Sequence, residues 1–267
     1  MTGVEKINAT FNKVREKHEK ALVTYVTAGD PDLKTTGRLI CSMDRAGADI
    51  IEIGIPFSDP SADGPVIQRA SARALKEGTN PPAILELVKE VKEQVLAPLI
   101  LMSYYNPILQ YGLLEFCRDA ANAGAAGLIV PDLPLEESTE LLLAAGQVGL
   151  ALIPLVAPTT NRRRLARITA AAQAFVYCVT VTGITGTSQN VTGEIEELSK
   201  EVREATELPM VAGFGIASPE QAVKVAKYCD GVVVGSALVK LVETHQEDSL
   251  EPVANLTRQL KQALVQP

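Results

Sequence analysis

The sequence carries no surplus of positive charge: 25 Lys and Arg stand against 32 Asp and Glu, a formal net charge of −7. Neither a nucleic-acid backbone nor an anionic membrane surface is an expected partner for such a chain. Histidine is scarce, with His18 in the charged N-terminal helix and His245 in the acidic run ETHQED, and both positions read as solvated surface rather than as catalytic bases. The four cysteines, Cys41, Cys117, Cys178 and Cys229, form no CxxC pair, and each sits in an apolar stretch. They read as reduced, buried thiols, which leaves no structural zinc and points to a reducing compartment. No His, Cys and carboxylate cluster has metal-ligand spacing, so no metal is expected, and no Ser, Cys and His constellation suggests a covalent nucleophile. No apolar run approaches the length of a membrane span. The N-terminal segment MTGVEKINATFNKVREKHEK lacks the apolar centre of a signal peptide. The expected location is cytoplasmic.

Linkers, low-complexity tracts and exact repeats are also missing, which favours one domain over residues 1–267. What the chain does have is a βα rhythm. Short runs rich in Val, Ile and Leu fall at Ala21–Thr27, Asp49–Ile53, Pro98–Met102, Gly127–Val130, Ala151–Val156, Phe175–Thr180, Pro209–Ala212 and Gly231–Val234. Between and after them lie segments apolar at helical spacing: Thr35–Arg45, Pro82–Val95, Leu113–Ala123, Glu137–Ala145, Arg162–Ala171, Gly193–Ala205, Pro219–Tyr228, Ala237–Thr244 and Pro252–Val265. The runs are apolar almost throughout, as parallel strands covered on both faces are. Eight such units in 267 residues fit an α/β fold closed as a (β/α)8 TIM barrel, with the extra N-terminal helix capping the barrel bottom. A doubly wound open sheet is the alternative.

In a barrel, chemistry belongs to the loops past the C-terminal ends of the strands. Glu52 stands out there as an ionisable side chain inside the apolar run ADIIEIGIPF. Alternation puts it on the same face as Ile50 and Gly54, toward the barrel mouth. Desolvation raises a carboxyl's pKa toward neutrality, which suits a group that both donates and accepts a proton. The other reading is a structural ion pair, for which no basic residue between Arg45 and Arg69 is at hand. Asp59 and Asp63 lie in the loop SDPSADGP, a rigid frame in which an Asp can simply cap a turn. That reading suits Asp59; for Asp63, just before Gly64-Pro65 and the next helix, a cap and a carboxylate reaching over the mouth both stand. Late in the chain three strands end in glycine turns, GITG at Gly183–Gly186, GFG at Gly213–Gly215 and Gly235-Ser236, without a Lys or Arg among them. Backbone N–H groups at such turns bind phosphate, and barrels use the site after strands seven and eight for it. The polar stretch from Val181 to Gly193 is either a lid or a plain surface loop, and Tyr177 on the preceding strand is either core or pocket.

These motifs, YVTAGDPD, IEIGIPFSDPSADGPVIQ, MSYYNPILQYG, GLIVPDLPLEES, GITG, AGFGI and GVVVGSALVK, occur in an order that resembles the tryptophan synthase alpha chain family over nearly the whole sequence. The resemblance implies a barrel that cleaves indole-3-glycerol phosphate to indole and glyceraldehyde 3-phosphate. It implies a beta-chain partner in an alpha2-beta2 assembly, with pyridoxal phosphate on that partner and no cofactor on this chain. By matching position, Glu52 is then the acid/base and Asp63 the carboxylate at the indole N–H. Gly186, Gly213, Gly215, Gly235 and Ser236 are implied to hold the phosphate, and Tyr25, Tyr177, Thr185 and Phe214 to line the pocket or its lid. Asp59, Asn106, Pro107, Asp132 and Pro134 are implied to face the partner. Ser61 departs from the pattern, since the family commonly has an apolar residue there. The same residues suit a stand-alone indole-3-glycerol-phosphate lyase, and a non-catalytic allosteric barrel is the non-enzymatic alternative.

Overall fold

A computed structural model describes residues 1–179, 188–213 and 215–265. Nine parallel strand segments follow one another: β1 (Ala21–Thr27), β2 (Ile50–Gly54), β3 (Leu99–Met102), β4 (Gly127–Ile129), β5 (Ala151–Ile153), β6 (Leu155–Val156), β7 (Val176–Val179), β8 (Met210–Gly213) and β9 (Gly231–Val234). The hydrogen-bonded order is β5-β4-β3-β2-β1-β9-β8-β7-β6. The two ends of that ladder, β5 and β6, are separated in sequence by Pro154 alone, so the ladder meets itself and the sheet is closed. Proline has no N–H to give the ladder, which splits the fifth strand in two. Its carbonyl still accepts from the Tyr177 N–H at 3.0 Å. The (β/α)8 barrel is therefore the architecture, and the open-sheet alternative falls.

The helices are α1 (Gly3–Glu16), α2 (Leu33–Ala46), α3 (Pro65–Lys76), α4 (Pro81–Val91), α5 (Tyr105–Tyr111), α6 (Leu113–Ala123), α7 (Thr139–Gln147), α8 (Arg162–Ala171), α9 (Ser188–Ala205), α10 (Pro219–Ala226), α11 (Ser236–His245) and α12 (Leu250–Val265). None among the described residues is long and apolar enough to cross a membrane. The sequence pattern placed most of these to within a few residues. Two details differ. The short α5 escapes it because NPILQY opens with a turn-like Asn-Pro pair. His18 lies past the end of α1 in a left-handed conformation, φ 57°, where the chain turns back into β1.

Alternation along the strands divides the core in two. Leu22, Val26, Ile51, Ile53, Leu99 and Leu101 face outward under the helices, and the four cysteines, all buried and free, belong to this layer or its edge. Val23, Ile50, Ile100, Ile153, Val211 and Val233 face inward and fill the barrel. α1 closes the bottom of that inner core. A reciprocal cap between Thr2 and Glu5 fixes its start, and Ile7, Phe11 and Val14, all buried, pack on the inner layer. The Phe11 and Phe175 rings meet at 5.4 Å. Phe11→Ala is expected to lower the unfolding free energy by about 3–5 kcal/mol, read from urea denaturation. A change under 1 kcal/mol would show that the plug is not part of the cooperative core.

Candidate active site

The open end of the barrel is built from the loops that follow the strands, and β2 supplies its most unusual side chain. Glu52 is only 1% exposed. Parallel pairing places it opposite Tyr25 of β1 and Ile100 of β3. Its Oε1 has no hydrogen-bond partner among the described residues, and no ion pair reaches it there. The structural ion-pair reading of Glu52 therefore has no support in the described residues. Burial pushes its carboxyl up to about 8, so the group is largely protonated at neutral pH.

Asp63 sits at the other end of the loop between β2 and α3. The cap of α3 is Gly64, with no side-chain capping bond, so Asp63 does not serve as the helix cap. Burial lifts its carboxyl to about 6, and the neighbouring Tyr104 hydroxyl works in the opposite direction. The loop is a set of tight turns, with the Ser61 N–H donating to the Asp59 carbonyl at 2.9 Å and the Asp63 N–H to the Pro60 carbonyl at 3.1 Å. Below it, α3 is anchored by charge. Arg73 grips the buried Asp30 through two bonds of 2.8 Å and also reaches Glu243 of α11 at 3.0 Å, while Arg69 bonds Glu243 through two more. The Arg69 and Arg73 guanidinium groups pull the Glu243 carboxyl down to about 2.

Two phenols join the carboxyls. Burial raises both Tyr25 and Tyr177, and the charges of Asp63 and Glu52 raise them further, which places both rings in the field of both carboxyls. Each ring lies over a glycine. A Cβ on Gly54 would overlap the Tyr25 hydroxyl, and one on Gly213 would stand 2.9 Å from Tyr177 Cε1. Gly213, expected as a backbone phosphate contact, is thus required to be glycine first by Tyr177. Gly215 is left-handed at φ 62°, with open space around it, and Gly235-Ser236 starts α11 at the end of the neighbouring β9. The backbone at Gly215 is open and suited to an anion, whereas Gly235 has the Tyr25 side chain against one side, and a Cβ there would stand 3.4 Å from it. Thr185, Gly186 and Phe214 lie outside the described residues.

Beside the Asp63 loop a cavity of about 710 Å³ opens, walled by Ala62, Met102, Asp132, Leu155, Tyr177 and Val179 among others. Of the remaining expected residues, Asp59, Asn106 and Asp132 are exposed and Pro107 and Pro134 half-buried. Asp132 accepts from the Tyr105 N–H at 2.9 Å, which ties the β4 loop to the start of α5. Ser61 is exposed, so its hydroxyl meets solvent. Tyr104 is the residue that sequence reasoning missed. The tandem tyrosines directly after an apolar strand run were the available signal.

Fold and site together define a (β/α)8-barrel enzyme whose mouth is furnished with two carboxyls and three phenols in place of a lysine or histidine. Comparison narrows that class. The chain belongs to the tryptophan synthase alpha chain family, whose model matches residues 11–265. It is 50% identical over 263 residues to the tryptophan synthase alpha chain of Citrifermentans bemidjiense, covering 98% of each chain. It is 49% identical over 248 residues to that of Carboxydothermus hydrogenoformans, covering 93% of each. The crystal structure of tryptophan synthase subunit alpha from Legionella pneumophila superposes with a TM-score of 0.90 at 36% identity, over 99% of this chain and 98% of that one.

The burial of Glu52 has a measurable consequence for stability. Its folded pKa of about 8 lies above the usual carboxylate value near 4.3, so the native state holds a proton that the unfolded state has lost between those pH values. Stability therefore falls as pH rises through that window. Glu52→Gln removes the penalty and is expected to be the more stable protein at pH 8, by on the order of 4 kcal/mol. Thermal unfolding of both proteins at pH 5 and pH 8 checks this, and an equal difference at both pH values would contradict it. Gly213→Val is expected to displace the Tyr177 ring and cost about 1–3 kcal/mol, and an unmoved ring in a crystal structure of the variant would contradict that.

Proposed function

We propose that this chain is the alpha subunit of a tryptophan synthase, cleaving indole-3-glycerol phosphate to indole and glyceraldehyde 3-phosphate with Glu52 and Asp63 as its catalytic carboxyls. The reaction is a retro-aldol step. A proton is added at indole C3, the bond from C3 to the hydroxyl-bearing carbon breaks, and that hydroxyl loses its proton as it becomes the aldehyde. Glu52, protonated at rest by burial, delivers the proton to C3, and its carboxylate then takes up the hydroxyl proton. Asp63, ionised above about 6, accepts the indole N–H and stabilises the positive charge that develops on the ring. The phosphate is held by the backbone of Gly213, Gly215 and Gly235-Ser236, and Gly186, outside the described residues, is assigned to the same role by its match to the family. Tyr25 and Tyr177 wall the pocket, and Thr185 and Phe214 are assigned to the pocket or its lid by their match to the family.

The observation that carries this reading is the inward Glu52, buried in β2 without a compensating cation among the described residues. A structural carboxyl gains nothing from such a place, whereas an acid catalyst needs it. The chain acts as one barrel domain over residues 1–267, in the cytoplasm, in an alpha2-beta2 assembly. Pyridoxal phosphate belongs to the beta chain in this reading. Asp59, Asn106, Pro107, Asp132 and Pro134 face that chain, as does the exposed Ser61, whose small polar side chain leaves less apolar surface there than the family's usual residue.

Glu52→Gln should keep its affinity for glycerol phosphate and lose roughly 10²-fold or more in turnover. The wild-type kcat/KM profile should be bell-shaped, rising through about 6 as Asp63 ionises and falling through about 8 as Glu52 loses its proton. Near-normal turnover of Glu52→Gln on indole-3-glycerol phosphate would sink the assignment. Turnover unchanged by a cognate beta chain would instead favour the independent lyase.

A further inference from the structure

We propose that Tyr104 is the positioning residue for Asp63, its hydroxyl pinning the loop between β2 and α3 by accepting the N–H of Ala62, the residue just before Asp63, and turning its own hydrogen toward the Asp63 carboxyl. The inference rests on the role given to Asp63 above and goes beyond it by naming what holds that carboxylate in place. Tyr104 is the residue before α5, and its side chain makes no capping bond there. It points inward instead and is only 4% exposed. Its ring packs on Phe57 of the same loop, with centroids 5.3 Å apart, and its oxygen accepts the Ala62 N–H at 2.9 Å. A phenol oxygen that accepts in this way keeps one hydrogen to donate, and it does so beside the Asp63 carboxyl, whose pKa Tyr104 lowers.

The consequence is electrostatic as well as geometric. A donor bonded to a carboxylate favours its ionised form, while burial favours the protonated form. The other titratable groups around this pair are Glu52 on β2, Tyr25 on β1, Tyr177 on β7 and Asp132 after β4. All are acids, so none of them can replace the donor with a positive charge. Without the Tyr104 hydroxyl, Asp63 is left to burial alone and its pKa rises.

The test is a carbon-13 NMR titration of the Asp63 carboxyl in the full chain and in Tyr104→Phe, with Asp63→Asn assigning the resonance. Phenylalanine keeps the ring on Phe57 and removes only the hydroxyl. The midpoint is expected to rise by about one pH unit or more. The acid limb of kcat/KM should move with it, so that at pH 6 the ionised share falls from about half to about a tenth and activity returns at higher pH. An unmoved midpoint, or a loss of turnover uniform across pH, overturns the proposal. Hydrogen exchange at the Ala62 amide gives a second reading on the wild-type chain alone: protection is expected, and free exchange also overturns it. Neither the NMR titration nor the exchange depends on turnover, so a failure here is separate from a failure of the Glu52→Gln assay.

Discussion

A carboxyl taken out of water without a counter-charge gives up several kcal/mol of solvation if it stays ionised, and it takes up a proton instead. β2 imposes that choice on Glu52. Its neighbours are fixed by the ladder, Tyr25 on one side and Ile100 on the other, and a strand inside a closed barrel cannot swing the side chain out to solvent. Much of the mouth's composition follows from this constraint. A lysine or arginine in the inner layer would ionise Glu52 and remove its use as an acid. The polar groups nearest it are phenols, whose own pKa values are driven up by the same burial. The glycines follow in turn: Gly54 and Gly213 leave room for the Tyr25 and Tyr177 rings to lie across the barrel, and so sustain the dry surroundings that keep Glu52 protonated.

The second carboxyl shows how far environment alone can separate two similar groups. Glu52 sits on a strand with no donor within reach among the described residues, and Asp63 sits on a loop beside the Tyr104 hydroxyl, which lowers its pKa. The two groups therefore titrate on either side of neutrality, one suited to giving a proton and the other to accepting a hydrogen bond as an anion. Reversing their places would fail on both counts. A carboxyl on the loop, titrating near 6, is mostly ionised at pH 7 and cannot serve as the acid, and one buried in β2 would not be an anion.

The fold was legible because closing a parallel barrel demands a repeated pattern, and the apolar runs of this chain keep it from Ala21 to Val234. Glu52 was legible for the same reason, since a charge within such a run breaks the pattern. Asp63 was not, because a loop Asp beside Gly and Pro has the same local sequence whether it caps a turn or faces a pocket. Only the position of Gly64 as the cap, and of Tyr104 across the mouth, separates the two. Gly213 has a second reason to be glycine that its local sequence does not show. A glycine at a strand end permits a close ligand or a close side chain equally well, and here the nearest claim is that of Tyr177, which lies 36 residues earlier and on another strand. Tyr104 stayed hidden because aromatic residues after a strand are ordinary core material.

A catalytic group on a loop is ordinarily less well held than one on a strand, and Asp63 requires an account of its precision. Three restraints supply it. The loop leaves β2 within the ladder, where the Ile55 N–H still bonds the Met102 carbonyl at 2.8 Å. It runs into α3, which Arg73 and Arg69 fasten to Asp30 and Glu243 on elements across the mouth. The Arg69 bond, with that side chain 53% exposed, contributes little on its own. The bond to Asp30 differs: that carboxylate is buried, and losing its partner would strand a charge inside the protein. The third restraint, Tyr104, acts between the other two. A loop fixed at both ends and in the middle can keep a carboxylate in place without lying in regular structure, while its outer turn, Ser58 to Ser61, remains open to a partner.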